Sequence, residues 1–194
     1  HGLPVIGILT LDAKVNDDGC NGKFGEDDAG DVLAGYAPGM PPEVFETGVA
    51  KKIPAGATLI FQLHYSKVAG SEQKDRSSVG LIFAKEPPKK RMIKRGISNV
   101  FFKIPAGAEA HKATACWQPK EDITLFSMMP HMHYRGAAME YKATYPDGKT
   151  ETLLNVPRYD FNWQLFYYFD QPKVMPKGAK MECIAHFDNS PNNK

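Results

Sequence analysis

The sequence predicts an all-β protein, built as two antiparallel β-sandwich domains of jelly-roll type packed side by side. Three observations predict it. Gly 17 and Pro 15 among 194 residues punctuate the chain between short runs rich in Val, Ile, Phe, Tyr and Thr. No run has the spacing of an amphipathic helix. A Pro-x-Gly-Ala turn recurs at the head of apolar runs, in KKIPAGATLIFQLHYS (51–66) and KVMPKGAKMECIAHFDN (173–189), with Gly56 and Gly178 each eight residues before a histidine, His64 and His186. An aromatic, Tyr65 or Phe187, follows each histidine, so the two halves read as a weak internal repeat. FKIPAGAEAHKATAC (102–116) shares the turn but has Ala115 at the histidine's place.

The strands follow in order, each an apolar, aromatic or β-branched run. The first half supplies 5–11 (VIGILTL), 58–66 (TLIFQLHYS) and 78–84 (SVGLIFA). The second supplies 98–104, 111–117 (HKATACW), 123–129 (ITLFSMM), 138–145 (AMEYKATY), 151–156, 164–169 (QLFYYF) and 179–187. TYPDGKTE (144–151) reads as a hairpin turn, with Asp147-Gly148 between alternating runs. KEPPKKRMIKR (85–95) reads as a solvated linker: two prolines break any ladder, and six basic residues face one acid. The expected domains are 1–88 and 97–194.

Hydrophobic content of 42% is enough for a packed core, and Lys+Arg 24 against Asp+Glu 22 gives no field that would attract nucleic acid or anionic lipid. No apolar run reaches the roughly eighteen residues of a membrane span. The chain opens at His1 without a leader, and so reads as a processed or excised piece. Cys20, Cys116 and Cys183 form no CxxC; they leave room for one disulfide and one spare thiol, with Cys116–Cys183 the favoured pair because both fall in strand-like runs of the same half, or for three buried thiols acting as small hydrophobes. NDDGCNGKFGEDD (16–28) resembles a calcium loop at Asn21, Gly22 and Asp28, but Gly19 stands where a ligand is needed, so a polar loop is the better reading.

The chemistry concentrates in MMPHMHYRG (128–136). In an extended segment His131 and His133 leave the same side, and two imidazole nitrogens suit copper or zinc. Met128, Met129 and Met132 lie nearby, and thioether sulfur leans the choice toward copper. There is no GxSxG, no phosphate-cradling glycine loop and no cysteine with a histidine partner. Trp117, Trp163, Tyr167 and Tyr168 could form a carbohydrate platform, but core packing explains them more simply.

LIFQLHYS around His64, FSMMPHMHYRG around His131 and His133, and MECIAHFDNSPNN near the end resemble the copper type II, ascorbate-dependent monooxygenases (the peptidylglycine α-hydroxylating and dopamine β-monooxygenase type), in a bacterial-type form, from about Leu33 to Asn193. The resemblance implies two β-sandwich domains with one copper each. His64 matches a ligand of the first-domain, electron-storing copper, and His131 and His133 match the His-x-His of the second-domain copper, where O₂ is activated and a C–H bond hydroxylated. Ascorbate or a similar reductant and a small-molecule substrate are implied, with a periplasmic or secreted location. The chain departs from the family in having no adjacent histidine pair, although His1 stands about where that pair would end, and in stopping before the family's methionine ligand. His1, at that place, is a tentative ligand of the first-domain copper. His186, by its repeat relation to His64, is a tentative substitute ligand. Met129 stands where peptide-hydroxylating relatives carry an arginine, so a peptide carboxylate is not the indicated substrate. Asp160 and Asn162 in PRYDFNWQ (157–164) are candidates to orient an imidazole. Two alternatives stay open: a non-catalytic binding or assembly module derived from the same fold, and a single-site copper carrier.

Overall fold

A computed structural model describes residues 32–63, 65, 72, 74–97, 99 and 102–193. The expected strand at 5–11, the loop at 16–28, His1 and His64 lie outside them. The described chain is all-β, without helix, and contains β1 (Val49–Ala50), β2 (Lys90–Arg91), β3 (His111–Trp117), β4 (Ile123–Met128), β5 (Gly136–Thr144), β6 (Thr150–Val156), β7 (Tyr167–Met175) and β8 (Lys180–Phe187). It divides into two units at Arg95/Gly96.

The second unit holds a four-stranded antiparallel sheet in the order β3-β8-β5-β6 and a two-stranded antiparallel sheet, β4-β7. Strand alternation explains the core. Met181, Cys183, Ala185 and Phe187 of β8 face inward with Met139, Tyr141 and Ala143 of β5, and meet Met128 of β4 and Met175 of β7. Five of the core side chains are methionines, flexible enough to fill gaps that branched residues would leave. The expected hairpin forms: Gly148 has φ +84° and donates its N–H to the Tyr145 carbonyl at 2.9 Å, while Asp147 accepts the Lys149 N–H at 2.9 Å. The Pro-x-Gly-Ala turn recurs as read, with Gly56, Gly107 and Gly178 at φ +76°, +77° and +82° and each following Ala N–H bonded back to the Pro carbonyl. Two of these turns lead into neighbouring strands, β3 and β8. The third, at Gly56, leads into 58–63, which carries no strand.

The expected strands at 58–66, 78–84 and 98–104 are not formed by their described residues. A lone extended segment gains nothing without a ladder partner, and in the first unit the apolar side chains of these runs stay out in solvent, with Ile82 fully exposed. That unit is held instead by the short parallel pair β1-β2 and by Lys51 and Lys94, which share the Glu43 carboxylate at 2.7 and 3.2 Å. The basic stretch expected as a solvated linker therefore belongs to the first unit: Lys89 and Lys90 donate to the Gly48 carbonyl, and Met92 donates to Ala50.

The expected Cys116–Cys183 pair is corrected. Cys183 stands opposite Ala115, and Cys116 opposite Glu182, so the two sulfurs leave opposite faces of the sheet. Cys183 is a free, buried thiol, and Cys116 is disulfide-bonded elsewhere. Among the described residues no helix is long and apolar enough to cross a membrane.

Candidate functional site

His131 and His133 lie between β4 and β5, in the gap left between the expected strands 123–129 and 138–145. Pro130 lacks an N–H, so the ladder stops before it. The chain stays extended enough to alternate: Met132 is 4% exposed in the core, and the two imidazoles flank it on the other side. Their ring centroids are 5.1 Å apart with planes at 79°, edge to face. The His133 carbonyl then accepts the Gly136 N–H at 2.8 Å, closing a turn into β5.

Three segments hold this loop. The first is 157–164. Tyr159 Oη accepts the Met132 N–H at 3.0 Å and donates to the Met132 carbonyl at 2.7 Å, gripping the two peptides that flank Met132. Its own N–H bonds the Ala137 carbonyl at 2.8 Å. That carbonyl is available because β5 bulges between Gly136 and Ala138 against β8. Phe161 lies 5.6 Å from His133 and 4.5 Å from Tyr134, ring to ring. The second is the 188–193 stretch: the Asp188 N–H bonds the Arg135 carbonyl at 2.8 Å, and Asn193 Nδ2 the Tyr134 carbonyl at 3.2 Å. The third is Gly136, whose missing Cβ would fall 2.6 Å from Met132 Cβ. Only glycine lets the strand approach so closely.

His131 Nδ1 lies 2.6 Å from Gln164 Oε1. Burial lowers the pKa of His131; the Gln164 bond opposes that shift and the His133 charge adds to it. Burial thus favours the neutral ring, the form that ligates a metal. His133 is exposed.

Asp160 and Asn162 do not reach the imidazoles. Asp160 Oδ1 accepts from the Asn162 backbone at 2.8 Å and from its side chain at 3.2 Å, an exposed local turn. Gln164, the last residue of the same stretch, makes the contact. Nothing in the sequence marks which polar residue of PRYDFNWQ crosses to a segment 33 residues earlier. Met128 and Met132 are spent on the core. His186 is on β8 between Lys112 and Ala138, on the face away from the core residues Ala185 and Phe187. Among the described residues no group of three or more His, Cys, Asp and Glu converges, so the pair stands as two nitrogen donors. Trp117 packs against the core, while Trp163 and Tyr168 are exposed. A hollow of ≈ 60 Å³ lies among Pro130, Arg158, Tyr159, Asp160, Trp163 and Tyr167, room for about two waters.

No protein-family model, curated protein or solved structure matches the chain. The likeness to copper monooxygenases rests on the quoted motifs.

Proposed function

We propose that the chain is a copper-dependent monooxygenase of two antiparallel β-sandwich domains, periplasmic or secreted, that hydroxylates a C–H bond of a small organic substrate with an ascorbate-like reductant. The observation that supports it most is the pairing of two imidazoles 5.1 Å apart on a loop pinned through the backbone of the residue between them. The donor set fits copper: two nitrogens of intermediate softness, with further coordination positions open. His131 and His133 would hold the ion, and His64 would serve the second copper of the intact protein.

When bound, copper supplies one-electron chemistry and O₂ activation. The chain's part is to present the donors. Tyr159 fixes the Met132 backbone, the Gly136 approach holds that segment against β5, and Phe161 covers one side of His133. Copper reconstitution, metal analysis and Cu(II) electron paramagnetic resonance test the reading, followed by ascorbate-dependent O₂ uptake. A nitrogen-coordinated copper that disappears in H131A/H133A is expected. An unchanged copper load in that double variant sinks the assignment.

The assembly-module reading draws on the exposed Ile60, Ile82 and Phe83 of the first unit. A folded chain that takes up no copper and self-associates would favour it.

A further inference from the structure

We propose that Gln164 is a positioning residue for the histidine pair, holding His131 in the tautomer protonated on Nδ1 so that Nε2 is the nitrogen offered to a metal. The functional consequence rests on the copper reading above; the tautomer is a property of the metal-free chain.

The chain of donors and acceptors leaves one solution. Gln164 Nε2 lies 2.7 Å from the Phe161 carbonyl oxygen. A carbonyl only accepts, so the amide nitrogen of Gln164 faces Phe161 and its oxygen faces His131. That oxygen also only accepts. At 2.6 Å from it, His131 Nδ1 must carry the proton. A neutral imidazole has one N–H, so the lone pair is on Nε2. Gln164 is 3% exposed, which keeps water from replacing either bond. The two partners also have separate anchors: Tyr159 fixes the peptide next to His131, and Phe161 fixes the amide. The ring therefore neither rotates away nor exchanges tautomers without breaking a buried bond. A metal arriving at Nε2 finds the donor already deprotonated and oriented.

The test reads the tautomer directly. Long-range ¹H–¹⁵N correlation spectra of the metal-free, ¹⁵N-histidine-labelled chain, taken above the usual histidine titration range, should show His131 protonated on Nδ1. Gln164→Met keeps the shape but removes the acceptor, and should let His131 populate the Nε2–H form. Gln164→Glu keeps an acceptor and should retain Nδ1–H. Competition against a Cu(I) chelator should then show about 10- to 100-fold weaker binding for Gln164→Met than for the parent, with less loss for Gln164→Glu. An Nε2–H His131 in the parent chain overturns the proposal without any variant, so it stays decidable if Gln164→Met fails to fold. An unchanged tautomer in folded Gln164→Met also overturns it. Correct tautomers in a parent chain that binds no copper would uphold the positioning and defeat the copper reading alone.

Discussion

At Gly136 the chain has no room for a side chain. A Cβ there would sit 2.6 Å from Met132 Cβ and 3.0 Å from both Met132 Cε and Tyr159 Cδ1. We expect Gly136→Ala to destabilise the second unit by about 1–3 kcal/mol, measured by urea unfolding. It should also shift the His131 and His133 resonances, because the displaced atoms belong to the residue between them. Tyr159→Phe makes a different cut: it strips the hydroxyl from both the N–H and the carbonyl of buried Met132 and leaves the ring in place. The expected cost is about 1–3 kcal/mol for an unsatisfied peptide group. If Tyr159→Phe unfolds at the parent midpoint, the two-sided grip on Met132 contributes nothing. The His-x-His pair was legible from spacing because strand-like alternation is local. Gln164 was not, because its role depends on a loop folding back across the sheet end.

At the scale of elements, Asn189 ties two distant pieces together. It follows β8, and its side chain bonds the Ile104 and Pro105 carbonyls at 3.4 and 3.0 Å. Its backbone exchanges bonds with Gly107 and Ala108. DNSPNN thus acts as a clasp for the Pro-Ala-Gly turn before β3, with Asn193 reaching the histidine loop. Asn189→Ala should cost about 1–2 kcal/mol and raise amide exchange at Gly107 and at the β3 end, with little change at the β5-β6 hairpin. Uniform change in exchange across the sheet would contradict a local clasp. Strand β3 was legible to the residue, since HKATACW is bounded by a turn and by Gln118-Pro119. β7 was not: the apolar run 164–169 suggested an early strand, but the ladder runs to Met175 through a bulge at the polar Asp170–Pro172 stretch. Proline has no N–H for the ladder, and the bulge leaves it outside the pairing. The 58–66 and 78–84 runs show the opposite failure: their composition suits strands, but composition does not provide a partner.

For the whole molecule, acid should act in two stages. The pKa of His131 is depressed by burial, so its proton binds the unfolded chain more tightly. Stability is full above the ordinary histidine value of 6.5 and falls as pH drops below it toward the depressed folded value. Asp188 and Glu151 are held below the usual carboxylate range, by bonds from Ser190 and Lys173 respectively, and their contribution fades later, as pH falls through that range. Urea midpoints across pH should show the first stage in the parent chain and lose it in His131→Asn. The two units should also part company under protease. In the first unit most of the described backbone lacks a ladder and many apolar side chains are exposed, while the second carries the buried core. Limited trypsin digestion should cut at Lys74, Arg76 or Lys85 first and leave a fragment containing β3 to β8.

Cys183 turns that core into its own gauge. The thiol is 4% exposed, sits in register between Ala115 and Tyr141 in the middle of the sheet, and is pushed up to about 12 by burial. Sulfhydryl reagents attack thiolates, so this sulfur is silent until the strands part. Its alkylation rate under native conditions therefore clocks how often the sheet opens, without any label having been engineered into the chain.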